Sequence, residues 1–381
     1  MSLSPAVREP ACEPARKIKV AVVDDSAVVR GLVSRWVDED PALETVAKFS
    51  NGKQAVDGVA ACAPDIVILD IEMPVMDGMT ALPQILRNCE GVKVIMASTL
   101  TRRNAEISLK ALSLGAVDYI PKPEGNSGVT RSATFREELI NKIKAVGESA
   151  RRRRAASVPP PAAHAAPAPA PAHAPVAEIQ LRPFSQVTPR ILAIGSSTGG
   201  PKALSQVIRD VAGFIPNVPV VITQHMPPTF TSILAEHLGR DGNCDAKEAE
   251  NGEPLLPGRI YVAPGGFHMA LARNGDLNTI RIYDGPEVNF CEPAVDPLFM
   301  SVAEIYGPAA LGVVLTGMGH DGAQGARRIA DTGGSIIAQD EATSVVWGMP
   351  GATAAAGACA AVLPLDKIGP KVAELLKGDH A

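Results

Sequence analysis

Asp65-Ile66-Val67-Ile68-Leu69-Asp70-Ile71-Glu72-Met73-Pro74 decides the fold class of the first half of this chain. Four consecutive apolar residues leave no polar face, so the stretch reads as a strand covered on both sides, as in a parallel sheet. The run ends in an acid. The same grammar extends in both directions. Upstream, Lys19–Val23 ends in Asp24-Asp25, and 43–49 reads as a second strand. Helical spacing fills 26–40 and 51–63. Downstream, helical patterns at 80–89 and 105–116 alternate with strands at 92–99 and 116–123. Five such units in about 130 residues predict a doubly wound sheet of flavodoxin-like type.

Between Ala155 and Ala177, 18 of 23 residues are Ala or Pro. Proline fixes φ and removes a donor, so this stretch reads as a semi-rigid linker rather than a sheet or packed helix. Arg151–Arg154 precede it and read as a solvated helix end, with a docking patch for an acidic partner as the alternative. Beyond the linker the alternation returns. Strands are expected at 190–195, 218–226, 258–266, 310–319, 334–340 and 359–365, with helices at 199–213 and 230–240. The expected architecture is therefore α/β, two doubly wound parallel-sheet domains. The expected divisions are 17–136, a helix end and linker over 137–187, and 188–381.

The 381 residues carry 36 Lys and Arg, 41 Asp and Glu, and only 4% aromatics. Residues 188–381 hold 13 basic against 20 acidic side chains. An acidic, aromatic-poor chain without a helix-turn-helix is a poor partner for nucleic acid. No apolar run approaches the ~18 residues of a membrane span. The N-terminus has no apolar signal core, so a cytoplasmic protein is expected. Six cysteines lie far apart with no C-x-x-C pair, which excludes a disulfide scaffold or a zinc signature.

Functional groups gather at the carboxyl ends of strands in open α/β sheets. In the first half these ends carry Asp24, Asp25, Asp70, Ser98 and Lys122. Clustered acids repel unless a cation neutralises them, and Mg²⁺ suits carboxylates and phosphate oxygens. The stretches Val-Val-Asp-Asp-Ser (22–26), Leu69–Gly78 and Tyr119–Pro123 resemble the receiver domain of two-component response regulators over about residues 17–136. That resemblance implies phosphorylation of Asp70 by a histidine kinase, and Mg²⁺ held by Asp24, Asp25 and Asp70 with the backbone carbonyl of Glu72. It further implies Lys122 as a neutralising cation, and Ser98 and Tyr119 as the switch pair. No histidine lies in this half, so it is not its own phosphodonor.

In the second half, Gly195-Ser196-Ser197-Thr198-Gly199-Gly200 follows a strand and opens a helix. This is G-x-S-x-G at a strand-to-helix turn, with Ser197 in the nucleophile position. Of the four histidines in this half's core, His237 and His268 read as packing residues and His320 as a competitor. His225, at the end of a buried strand, is the best-placed base. Asp321 is the expected acid, with Asp296 as the alternative. Ile-Gly-Ser-Ser-Thr-Gly-Gly-Pro (194–201), 223–231, 262–269 and 315–323 together resemble the chemotaxis response-regulator protein-glutamate methylesterases. The resemblance implies a Ser197–His225–Asp321 triad, with Thr198 beside the nucleophile and the Met318 amide in an oxyanion hole. No cofactor is implied for the esterase domain. It implies as substrate the γ-glutamyl methyl esters on cytoplasmic helices of methyl-accepting chemoreceptors, with deamidation of specific glutamines, no nucleic acid and no membrane insertion. Family members often carry Arg where Glu292 stands here. A receiver-regulated hydrolase of small esters and a non-enzymatic adaptor are the other two readings.

Overall fold

A computed structural model describes residues 16–99, 101–122, 129–157 and 179–378. The first domain runs β1 (Ile18–Val23), α1 (Ala27–Glu39), β2 (Leu43–Phe49), α2 (Gly52–Cys62), β3 (Ile66–Asp70), α3 (Gly78–Asn88), β4 (Lys93–Thr99), α4 (Arg102–Ser113), β5 (Asp118–Lys122) and α5 (Val129–Ser157). Its five strands are parallel, in the order β2-β1-β3-β4-β5. Every residue of β3 is buried, as its unbroken apolar run requires. Ser26, Asn51, Asp77 and Thr101 cap the helices that follow them, each accepting a backbone N–H.

α5 runs through residue 136 without a break. Its Leu139, Ile143 and Val146 are fully buried and belong to the same apolar cluster as Ile18, Val20 and Ile120. The expectation that the stretch from Ala155 to Ala177 is linker throughout is corrected at its first three residues, because α5 continues to Ser157. Ala155 and Ala156 are strong helix formers, and no proline lies between Pro123 and Pro159. Arg151 is not simply solvated: its guanidinium donates to the carbonyls of Arg16 and Lys17 and lies 3.4 Å from Asp65. The remainder of the expected linker, 158–178, lies outside the described residues.

The second domain comprises β6 (Ile191–Ser196), α6 (Gly200–Val211), β7 (Val220–Gln224), α7 (Phe230–Gly242), β8 (Asp245–Glu248), β9 (Arg259–Val262), β10 (His268–Asn274), β11 (Leu277–Tyr283), α8 (Val295–Tyr306), β12 (Ala310–Val314), α9 (Ala323–Asp331), β13 (Ser335–Gln339), α10 (Met349–Ala355), β14 (Ala361–Leu363) and α11 (Leu365–Leu376). Seven strands form a parallel sheet ordered β14-β13-β12-β6-β7-β9-β8, and β10 and β11 form a separate antiparallel hairpin. The chain grows from β6 toward β8 on one side and then restarts at β12 on the other. The crevice at the carboxyl ends of β6 and β12 is therefore a topological switch point. No helix among the described residues is long and apolar enough to cross a membrane.

Candidate active site and its control surface

Ser197 is the first residue beyond β6. Its N–H donates to the Thr316 carbonyl at 3.0 Å, and the Thr316 hydroxyl donates to the Thr198 carbonyl at 2.9 Å. The turn then passes Gly199 at φ 78°, a left-handed conformation that costs glycine nothing. Gly317 is equally constrained: a Cβ there would lie 2.9 Å from the Ser197 Cβ. Gln224, the last residue of β7, holds the next strand end in register. Its Nε2 donates to the carbonyls of Ser197 (3.0 Å) and His225 (3.1 Å), while its Oε1 accepts the Ser196 hydroxyl. Ser196 is thus fully committed inside the sheet, and Ser197 is the serine presented at the edge.

His225 Nε2 lies 2.8 Å from Asp321 Oδ2. The same oxygen accepts the Val295 N–H at 2.5 Å, and Oδ1 accepts the Asp296 N–H at 3.2 Å. Those amides open α8, so the carboxylate sits on a helix N-terminus, where negative charge is favoured. Burial pushes the Asp321 carboxyl up, but hydrogen bonds from His225, Val295 and Asn289 outweigh it and hold the pKa below the usual range. At His225 burial opposes protonation, yet hydrogen bonding to Asp321 and Cys291 dominates and raises its pKa to about 10. With Nε2 on Asp321, Nδ1 is the nitrogen left for chemistry. It faces Cys291 Sγ at 3.3 Å, and Ser197 makes no hydrogen bond to it.

Other sequence-identified residues fall away from this contact. His320 is exposed beside buried Asp321. His268 is buried, with Nδ1 accepting the Ala294 N–H and Nε2 3.1 Å from the Pro286 carbonyl. Asp296 caps α9 through the Gly325 N–H at 2.7 Å and does not touch His225. The Glu292 carboxylate accepts from Gly285 at 3.3 Å and lies 3.9 Å from His268, turned toward the scaffold. The N–H groups of Thr198 and Met318 donate to no group among the described residues, which leaves two backbone donors at the crevice.

In the first domain, oxygens of Asp24, Asp25 and Asp70 all lie within 4.8 Å of one another. Lys122 Nζ bridges Asp24 (2.6 Å) and Asp70 (2.7 Å). Burial, reinforced by Asp24, holds the Asp70 carboxyl above its usual range despite Lys122. Three hard carboxylate oxygens converging beside an exposed Glu72 are a donor set suited to Mg²⁺. Ser98 is buried and donates to the Thr99 carbonyl at 3.2 Å, so its hydroxyl is not engaged with Asp70.

The two sites meet. Tyr119 stacks face to face on Phe230 at the start of α7, with centroids 4.4 Å apart and planes within 3°. Its neighbour Asp118 accepts the Thr198 hydroxyl at 2.9 Å, one residue from Ser197, and pairs with Lys142 at 3.2 Å. Met318, Val345 and Val346 pack into the apolar cluster of the first domain. Arg102 and Glu236 close the rim at 2.6 Å. Sequence reading missed Gln224, Phe230, Asp118, Asn289 and Cys291. The last two lie just before Glu292, where the departure from the Arg common in the resembling family was the available signal.

Residues 192–372 match the family model described as CheB methylesterase, and residues 20–133 match that of the response regulator receiver domain. The protein-glutamate methylesterase/protein-glutamine glutaminase of group 2 operon from Bradyrhizobium diazoefficiens is 53% identical over 378 residues, covering 96% of this chain and 95% of that protein. A protein-glutamate methylesterase/protein-glutamine glutaminase from Rhodopseudomonas palustris is 54% identical over 385 residues, covering 99% and 98%. The crystal structure of the Thermotoga maritima CheB methylesterase catalytic domain is 42% identical and covers 50% of this chain and 100% of that one, at a TM-score of 0.48.

Proposed function

This chain belongs to the CheB methylesterase family, with a response regulator receiver domain ahead of the catalytic domain, and from that premise we propose how its residues work. It is a phosphorylation-regulated protein-glutamate methylesterase and protein-glutamine glutaminase of chemotaxis. A kinase is its phosphodonor and a chemoreceptor its substrate. It works in the cytoplasm, where receptor helices carry the methyl esters. The receiver unit includes α5 through Ser157, and the catalytic unit spans 188–381.

Ser197 is the nucleophile. Its Oγ attacks the ester carbonyl carbon while His225 Nδ1 takes the proton, and the developing oxyanion accepts from the Thr198 and Met318 amides. His225 returns the proton to methanol as it leaves. Water then attacks the acyl-serine by the same route and frees glutamate. A glutamine side chain gives the same acyl intermediate and releases ammonia. Asp321 keeps the Nε2 tautomer and steadies the imidazolium. The observation that carries this reading is the His225–Asp321 contact at 2.8 Å beside a strand-end serine. Methanol release from methylated receptor membranes tests it: Ser197→Ala must abolish release while Ser196→Ala must not.

In the receiver, Asp70 accepts the phosphoryl group. Asp24, Asp25, Asp70 and the Glu72 carbonyl would hold Mg²⁺, which supplies positive charge to phosphate oxygens when bound. The receiver covers the crevice at rest. Asp118 grips Thr198, and Tyr119 is sandwiched against Phe230 on the same strand end that carries the switch. Phosphorylation adds charge beside Lys122 and draws Ser98 toward Asp70, which frees space for Tyr119 to turn away from Phe230. The cover then lifts.

A further inference from the structure

Asp321 and Asp296, 1% and 2% exposed, lie together between α8 and α9. Each caps the other's helix. Asp321, just ahead of α9, accepts the first amides of α8, and Asp296, in the first turn of α8, accepts from Gly325 in the first turn of α9. The exchange ties the helices but brings two buried carboxylates side by side, which is costly unless donors stand between them. Asn289 is that donor. Its Nδ2 donates to Asp321 Oδ1 at 2.8 Å and to Asp296 Oδ2 at 2.9 Å, so both amide hydrogens are used, one for each acid.

The backbone is bent to put it there. Val288 and Cys291 exchange two backbone hydrogen bonds, at 3.2 and 3.0 Å, and close a two-residue turn. Its central residues Asn289 and Phe290 have φ of 54° and 63°, the left-handed pair of a type I′ turn. Asparagine tolerates this conformation, whereas phenylalanine does not, and glycine usually fills the second place. The Phe290 side chain is 92% exposed, so no burial in the fold compensates for the strain. What the turn does secure is the inward Asn289 amide.

We propose that Asn289 is a positioning residue of the hydrolytic site, holding Oδ1 of Asp321 apart from Asp296 so that Oδ2 stays turned to His225 and the Val295 amide. The inference rests on the triad reading above. Asn289 is among the groups that lower the Asp321 pKa, and it also acts downward on Asp296, where burial nonetheless wins and the carboxyl is raised. The other ionisable groups around the pair are Asp296 and the Cys291 thiol; Glu292 is turned to Gly285, and His320 is exposed. Removing the amide makes Asp321 more basic. The His225–Asp321 pair then keeps its proton to higher pH, and the neutral base forms later in a titration.

The test measures methanol release from methylated receptor membranes against pH, using full-length protein with a small-molecule phosphodonor. Asn289→Ala is expected to lower kcat by about 10- to 100-fold, the usual cost of losing a hydrogen bond to a charged group, with KM unchanged and the acidic limb moved to higher pH. Asn289→Asp keeps the shape but adds a third carboxylate, so its limb moves further in the same direction. Asn289→Asp carries the test should the alanine variant fail to fold. A purely structural asparagine would change stability without grading the limb by charge. Wild-type limbs in both variants, or a limb in Asn289→Asp displaced downward, would overturn the proposal. Ser197→Ala and Asp321→Ala run in parallel: if they are dead while the Asn289 variants titrate normally, only this inference fails. If Ser197→Ala stays active, the triad reading and this one fall together.

Discussion

In both domains the chain reverses its direction across the sheet beside its first strand, between β1 and β3 in the receiver and between β6 and β12 in the catalytic domain. Reactive side chains stand at that crevice in each case. Their support differs. In the receiver, Asp24 and Asp70 each accept one neighbouring backbone amide, from Ser26 at 2.9 Å and Ile71 at 2.8 Å, but the charge they face is a single shared lysine, a flexible stem that can change partners. In the catalytic domain, Asp321 is held by backbone amides at the start of a helix, which cannot move without moving the helix. A switch needs partners it can exchange. A hydrolytic acid needs partners it cannot.

The sharpest break in this comparison is Ser197→Ala, expected to cost on the order of 10⁴-fold or more in methanol release, with circular dichroism unchanged. His320→Ala, by contrast, should leave release near wild type, because His320 is exposed. Next comes Asp70→Ala, which should leave basal release unchanged and abolish stimulation by phosphodonor; residual stimulation would place the phosphoryl group elsewhere. Tyr119→Ala should raise basal release by up to roughly tenfold. A stacked pair contributes about 0.5–1.5 kcal/mol beyond its burial, and that energy holds the cover shut. Arg102→Ala should raise basal release less than Tyr119→Ala does, since an exposed ion pair is screened by solvent and holds weakly, and added salt should mimic it.

Proton linkage sharpens the same contrast. With its pKa raised from 6.5 to about 10, His225 contributes stability that is complete below the lower value and lost as pH rises through the upper. In the folded protein the neutral base is gained only as pH rises through the upper value. Cys291→Ala removes one of the contacts that raise His225, so the acidic limb of the methanol-release profile should move to lower pH. A limb that stays in place would mean the thiol does not couple to the base.

Local signals carried the sheets: unbroken runs such as Ile66–Leu69 and Ile191–Ile194 have no polar face and must be central strands. They also located Asp70, Ser197 and His225 at the carboxyl ends of β3, β6 and β7, the edge of a parallel sheet where functional groups gather. The rest depends on partners distant in sequence. Asp118 and Thr198 are 80 residues apart, and Asn289 and Asp321 are 32 apart. No periodicity links such pairs. The β10–β11 hairpin likewise lies outside the parallel alternation that organises its neighbours, so alternation did not announce its pairing.

The exchanged caps of α8 and α9 make two helix starts into one cooperative unit. The Val295 amide opens only when Asp321 lets go, and the Gly325 amide opens only when Asp296 does. Fraying at either end strands a carboxylate that the other needs, so the two amides should exchange with solvent deuterium at matched rates. Catalytic geometry is thereby bound to a local unfolding equilibrium. On the proposed triad, Asp321 leaves His225 only as both helices loosen at once, and a slow amide at residue 325 reports on a histidine a hundred residues away in sequence.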